Sequence, residues 1–224
     1  MDRLNRITLL LGKTAVNKLK QSTVMVVGCG AVGSFAIEAL ARSGVGHLIL
    51  VDFDNVEESN INRQLFAMDS TMGQSKVEIA RERIFDINPD IKVDIFKMFF
   101  DTDTQINIKP DFVIDAIDTV QSKIALYKWC TVNRIPFVSS MGAARKTDTT
   151  KIKFAKISKT SVCPLAAKIR RLVRDLHIPD FPVVYSVETA VPQKNGGHEF
   201  GSMITVTGIF GLMLADFVIK KLIA

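Results

Sequence analysis

The chain has 224 residues, with 29 Lys and Arg against 23 Asp and Glu, a hydrophobic content of 47% and a mean hydropathy of +0.21. Those values fit a core-rich α/β protein, read as a single domain over residues 1–224. Three cysteines, none in a C-x-x-C pair, exclude a disulfide framework and a zinc signature and point to a reducing cytoplasm. No basic-then-apolar leader opens the sequence, and neither an internal repeat nor a low-complexity tract interrupts it.

Residues 1–20 mix Arg3, Arg6, Lys13 and Lys18 with Leu4, Ile7, Leu10, Leu11, Val16 and Leu19, which predicts two short amphipathic helices broken near Gly12. The apolar run Val24 to Val27 then reads as a buried parallel strand. It leads into Gly28-Cys29-Gly30-Ala31-Val32-Gly33 and an apolar-periodic helix from Phe35 to Ala41. Strand, G-x-G-x-x-G and helix in that order predict a Rossmann-like nucleotide-binding turn. Gly28 permits the tight turn, Gly30 lets backbone amides approach a phosphate, and Gly33 lets the helix lie close to the strand. The helix N-terminus adds partial positive charge at the phosphates. A second strand, Leu48 to Val51, ends in Asp52, where an acid that binds a ribose belongs.

The residues that follow favour a nucleoside triphosphate over a nicotinamide dinucleotide. Asp52-Phe53-Asp54, Asn60-Ile61-Asn62-Arg63-Gln64 and Gly73-Gln74-Ser75-Lys76 supply an Arg and a Lys that a hydride carrier does not need. A triphosphate attacked at phosphorus needs them, because charge develops on its oxygens. The segment to Met72 is a long polar loop, and Lys76 to Ile87 is a helix stopped by Asn88-Pro89. Ile91 to Ile95 alternates as a strand with one solvated face. Asp111 to Asp115 is a buried strand that delivers the Asp118 carboxylate to the ligand crevice, where it faces the ligand or caps the helix Val120–Val132. Ile135 to Ser139 is the fifth strand.

From Ser139 the chemistry changes. Ten Lys or Arg lie between Arg145 and Arg174 against one acid, Asp148, and the rest of the chain is net negative. Lys151 to Ile157 reads as a strand with its lysines on one face. Leu165, Ile169, Leu172, Val173 and Leu176 read as the buried stripe of a helix, with Lys168, Arg170, Arg171 and Arg174 away from it. Such a face is either ordinary solvated surface or the footprint of a polyanion. Cys163 precedes Pro164 at the start of that helix and is either a packing residue or an activated thiol. Cys29 and Cys130 are read as packing residues, and His47, His177 and His198 share no metal-ligand spacing. Tyr185 to Glu188 is strand-like and Pro192 to Gly197 a turn-rich connection. Phe200 to Ala215 is uncharged, but at 16 residues it is shorter than a membrane span and is expected to be a buried helix grooved by Gly208, Gly211 and Ala215.

The series GxGxxGS, D-x-D, N-x-N-R-Q and G-x-x-K resembles the adenylating enzymes of the ubiquitin-activating superfamily. Within it, four further stretches are similar to the tRNA threonylcarbamoyladenosine dehydratase branch: Ile117 to Lys123, Cys163 to Lys168, Tyr185 to Glu188 and Phe200 to Gly211. The likeness covers nearly the whole chain, and one departure is Cys163, where that branch is expected to carry an acid. The resemblance implies an α/β fold with a mostly parallel sheet flanked by helices and an antiparallel extension in the C-terminal half. Residues 1–140 would be the nucleotide-binding half and 141–224 the basic, substrate-binding half.

It further implies ATP and Mg²⁺ but no zinc as cofactors. ATP would be held by Gly28, Gly30, Gly33, Ser34, Asp52, Asp54, Asn60, Asn62, Arg63, Gln64 and Lys76, and Mg²⁺ by Asp118. Arg6 would come from the partner of a homodimer, and a cysteine desulfurase sulfur-relay system is an associated partner. The implied reaction is dehydration of threonylcarbamoyladenosine at tRNA position 37 through a carboxyl-adenylate. Two other readings stand beside it. Adenylation of the C-terminus of a small sulfur-carrier or ubiquitin-like protein would not require ten clustered cations. A non-enzymatic nucleotide-binding module would not need Arg63, Lys76 and Asp118 together.

Overall fold

The computed structural model describes residues 3–192 and 200–224. Seven strands form one sheet: β1 (Thr23–Val27), β2 (His47–Val51), β3 (Lys92–Phe96), β4 (Phe112–Asp115), β5 (Phe137–Ser140), β6 (Ile152–Lys156) and β7 (Pro182–Ser186), in the order β3-β2-β1-β4-β5-β7-β6. All neighbours run parallel except β6, which lies antiparallel to β7 at the edge. The α-helices among the described residues are α1 (Asn5–Leu11), α2 (Lys13–Gln21), α3 (Gly33–Ser43), α4 (Lys76–Ile87), α5 (Val120–Asn133), α6 (Pro164–Asp175) and α7 (Ile204–Ile223). The expected α/β fold with its antiparallel C-terminal extension is therefore present, and strands from both halves of the chain share one sheet.

The central strands read as unbroken apolar runs because both of their faces are covered. On β1, Val24 and Val26 face the core that includes α3, α4 and α7, while Met25 and Val27 face the core built with α5 and α6. Leu48 and Leu50 alternate with Ile49 and Val51 on β2 in the same way. Each such fully buried aliphatic side chain contributes about 1.5–3 kcal/mol. The uncharged C-terminal run packs against α3, and no helix among the described residues is long and apolar enough to span a membrane. Close approach there depends on Gly211: a Cβ at that position would stand 2.2 Å from the Val32 carbonyl oxygen and 2.9 Å from Phe35 Cβ.

Two details of the second half differ from the sequence reading. Lys151 belongs to a 3₁₀ turn ahead of β6, and Lys156 shares strand parity with Phe154, so Lys151, Lys153 and Lys156 do not form one strand face. Lys153 lies over the Tyr185 ring of the neighbouring strand. The buried stripe of α6 is Ala166, Ile169 and Val173; Leu176 is the C-cap, past the end of the helix, and is exposed. Of the Pro192–Gly197 connection, everything after Pro192 lies outside the described residues, as does His198.

Candidate active site

The strand order places β2 on one side of β1 and β4 on the other. The crevice beyond the C-terminal ends of β1 and β4 is thus the topological switch point of the sheet, where α/β folds of this kind bind ligands. A cavity of about 650 Å³ opens there. The turn after β1 forms its floor. Gly28 has φ +95°, and a Cβ on it would stand 2.7 Å from the Ala116 carbonyl oxygen, so the turn between β1 and the β4 loop requires glycine. A Cβ on Gly33 would stand 1.7 Å from the Gly28 carbonyl oxygen, which is why α3 can begin directly against the turn.

Asp52 holds this turn in shape. Its Oδ2 accepts from the Cys29 amide at 2.6 Å and its Oδ1 from the Asp54 amide at 2.8 Å. Burial raises the Asp52 carboxyl above the usual carboxylate range, with the two amides and the Lys76 charge opposing the rise. The Cys29 thiol is pushed well up, first by burial and then by the adjacent Asp52 charge, so it stays protonated and inert. Lys76 is buried and donates to Asp54 Oδ2 at 2.8 Å. The loop between them is built from two 3₁₀ turns. Asn60 Oδ1 accepts from the Glu57 amide, and Arg63 donates to the Ser59 carbonyl and to Asn62 Oδ1.

Gly28, Gly30, Asp52, Asp54, Asn60, Arg63, Gln64, Lys76 and Asp118 all line the cavity. Ser34, Asn62, Gly33 and Arg6 do not. Ser34 is buried and its Oγ accepts from the Leu65 amide, Asn62 is exposed beside Arg63, and Arg6 is exposed on α1. Asp118 is exposed and does not cap α5; Thr119 occupies the N-cap position, without a side-chain hydrogen bond. Of the basic residues of α6, Lys168, Arg171 and Arg174 are exposed, whereas Arg170 donates to the Thr160 carbonyl and hydroxyl at 2.7 and 2.6 Å and so fastens α6 to the segment before it. The N-terminal end of the same helix, Cys163 to Leu165, reaches the cavity, and Cys163 is buried.

Several residues that shape the site were not singled out from the sequence. Phe53 and Phe99 meet edge to face at 5.0 Å on the cavity wall, with Met98 and Phe100 beside them. The loop after β5 brings Arg145 and Lys146 to the opposite end. Beneath the β4 and β5 ends, Lys123 donates to Asp115 Oδ2 at 2.8 Å and to the Ser140 carbonyl at 2.7 Å; both charged side chains are fully buried. Tyr127 and Ser139 also donate to Asp115 Oδ2, and burial raises the Tyr127 hydroxyl well above its ordinary value, with the Asp115 charge adding to the rise. Lys123 stands in the quoted Ile117–Lys123 stretch, but the spacing from Asp115 carries no sign that the two pair.

The chain is similar to known proteins over most of its length. A "tRNA threonylcarbamoyladenosine dehydratase" of Bacillus subtilis is 47% identical over 195 residues, covering 85% of this chain and 77% of the relative. The crystal structure of the Escherichia coli tRNA N6-threonylcarbamoyladenosine dehydratase in complex with ATP superposes with a TM-score of 0.90 at 36% identity, covering 98% of this chain and 93% of that one. The molybdopterin-synthase adenylyltransferase of Escherichia coli, by contrast, matches at 40% over only 129 residues, 56% of this chain and 51% of its own length. The model of the ThiF family matches residues 3–224, and the chain belongs to that family.

Proposed function

We propose that this protein dehydrates threonylcarbamoyladenosine at position 37 of tRNA, using ATP to activate the threonine carboxylate. The observation that carries the reading is a single cavity lined at one end by the glycine turn, Asp54, Arg63, Lys76 and Asp118, and at the other by Arg145 and Lys146, with the basic helix α6 leading into it. Whole-chain similarity to dehydratases, against partial similarity to an enzyme that adenylates a protein, supports the tRNA substrate over a sulfur-carrier tail. The geometry fits a nucleotide. A Cβ on Gly28 or Gly33 would strike backbone, whereas Gly30 faces open space bounded by the Gln64 side chain, and Ser122 Oγ, in a residue that lines the cavity, is buried without a hydrogen-bond partner among the described residues.

In this reading the phosphates of ATP rest on the glycine turn and the N-terminus of α3, and Asp52 faces the ribose. Phe53, Met98 and Phe99 offer the base an apolar wall. Asp118, a carboxylate at the strand end with no ion pair among the described residues, would hold Mg²⁺, which neutralises phosphate charge when bound. Arg63 and Lys76 complement the charge that grows on the phosphate oxygens as a substrate carboxylate oxygen bonds to the α-phosphorus and pyrophosphate leaves. The carbamoyl nitrogen then bonds to the activated carbonyl carbon and gives up its proton. AMP departs with the former carboxylate oxygen, so the base loses the elements of water. Closure is intramolecular and has a high effective molarity, so it needs no enzyme nucleophile, and Cys163 is left as a packing residue.

The same reading makes the protein a cytoplasmic, ligase-type enzyme that acts as a homodimer, as one adenylating domain over residues 1–224, with Arg6 of each subunit completing its partner's site. A sulfur-relay system of the cysteine desulfurase type is its expected associate. The test is mass spectrometry of nucleosides from threonylcarbamoyl-tRNA incubated with the protein and Mg-ATP. The expected product is the threonylcarbamoyl nucleoside lighter by one water, with one AMP formed per event. Unchanged nucleosides beside normal adenylation of a sulfur-carrier protein would replace this reading with the other.

A further inference from the structure

Three lysines are buried among the described residues: Lys76, Lys123 and Lys146. The first two each pair with an aspartate at 2.8 Å, with Asp54 and Asp115 respectively. Lys146 is 3% exposed and makes no ion pair with a described residue; its Nζ donates only to the Glu188 carbonyl. The Glu188 carboxylate lies close enough for the Lys146 charge to help hold it below the ordinary carboxylate value, but its hydrogen bonds come from the amides of Thr147 and Asp148 and from the Thr147 hydroxyl. A buried ammonium that makes one hydrogen bond and no direct ion pair keeps two of its three N–H donors unmatched among the described residues, which is costly. It is kept where a ligand supplies the missing charge, and Lys146 lines the cavity.

Its neighbour Arg145 adds to the same corner. Arg145 holds φ +59°, a left-handed backbone that costs a non-glycine residue of order 1 kcal/mol or more. Three bonds hold it there: its amide to the Gly201 carbonyl at 2.8 Å, the Val191 amide to its carbonyl at 2.9 Å, and its Nε to the Val191 carbonyl at 2.8 Å. The guanidinium lies over the Phe200 ring, 5.9 Å from its centre. The two terminal nitrogens of the fork make no hydrogen bond to a described residue. Around this corner the cavity wall is uncharged, formed by residues such as Met141, Ala143, Cys163 and Leu165. Sheet order sets β5, whose following loop carries the corner, next to β4, whose following loop carries Asp118, so the corner and Asp118 border one crevice.

We infer that Lys146 and Arg145 form the subsite for the substrate's carboxylate, the group that is activated. The inference rests on the proposed function and adds how the enzyme tells a tRNA bearing an amino-acid carboxylate from one that lacks it. Holding the carboxylate from the β5 side leaves one of its oxygens facing the nucleotide end. Neutralisation by two fixed cations fixes its position before any phosphorus–oxygen bond forms.

The test measures binding of threonylcarbamoyl-tRNA and of the same tRNA with unmodified adenosine at position 37, together with Mg-ATP affinity and turnover. It compares the wild-type full chain with Lys146→Met, Lys146→Arg and Arg145→Gln. The wild type should prefer the modified tRNA. Lys146→Met and Arg145→Gln should each shrink that preference by about tenfold or more, as expected when a charge-assisted hydrogen bond is removed. Lys146→Arg should restore part of it, and Mg-ATP affinity should stay within about twofold throughout. A preference that survives in both neutral variants, or equal weakening of the two tRNAs, overturns the subsite and assigns the corner to holding the Glu188 segment or a backbone phosphate. Should Lys146→Met fail to fold, Arg145→Gln, on a half-buried side chain, carries the same measurement. Failure of the proposed function itself gives a different signature: wild-type protein that forms no dehydrated nucleoside.

Discussion

Asp118 is a cavity-lining carboxylate with no hydrogen bond to a described residue, and it stands past the end of a central strand rather than capping the next helix. A side chain in that position contributes little to stability, so Asp118→Ala should change unfolding free energy by no more than about 0.5 kcal/mol. AMP formation should fall on the order of a hundredfold or more, as when one preorganised charge-stabilising group is lost. Urea unfolding and an AMP-release assay on the same preparation check the two halves. Lys123 should behave in the opposite way. It is fully buried on Asp115, so Lys123→Met strands a carboxylate in the core and should cost about 3–5 kcal/mol in urea unfolding. Adding Asp115→Asn should recover part of that loss, because the side-chain carbonyl that replaces the carboxylate can still accept from Tyr127, Ser139 or the Ile117 amide. If the double variant were no more stable than Lys123→Met alone, the lysine would be acting by packing rather than by charge.

At the scale of elements, the pairing of α3 with α7 supports the nucleotide turn from below. Val32 ends that turn and also accepts from the Ala36 amide in the first turn of α3, while α7 presses Gly211 against the Val32 carbonyl. Gly211→Ala therefore puts a methyl group where a backbone oxygen already stands. The helices must separate, at a cost of about 1–3 kcal/mol in chemical denaturation. Because α3 carries the Gly28–Gly33 cradle at its start, the same variant should weaken Mg-ATP binding measured by calorimetry, although Gly211 is not itself a wall of the cavity. Unchanged ATP affinity beside the expected loss of stability would mean that α3 and the turn move independently.

At the scale of the whole molecule, positive charge is concentrated on one helix whose other end opens into the cavity. Lys168, Arg171 and Arg174 are exposed along α6, and Cys163 to Leu165 at its start line the site. Charge reversal of those three to Glu should weaken tRNA binding and reduce the slope of log affinity against log salt by about three, one for each phosphate no longer neutralised. ATP binding should not change, since its lining residues come from the first half of the chain. Arg170 is left out of this set because its guanidinium already serves Thr160, and replacing it would loosen α6 itself. A salt slope that does not move would make the face ordinary solvated surface.

The sequence by itself determined the elements whose cause is local. Unbroken aliphatic runs require strands buried on both faces, Gly28 and Gly33 stand where a Cβ would strike backbone, and Asn88-Pro89 stops a helix; all of these are written in consecutive residues. The family was legible for the same reason, since the cavity residues from Gly28 to Lys76 fall within one stretch of chain. Only the tertiary structure decided what joins distant segments. The insertion of β7 between β5 and β6 sets the edge of the sheet. The pairing of Lys123 with Asp115 appears only when α5 folds back over β4. Whether a cation faces solvent, a carboxylate or a cavity depends on partners 8, 10 or 42 residues away that the fold brings beside it. That dependence is why Arg170, Lys123 and Lys146 look alike in a basic sequence and do three different things in the folded chain.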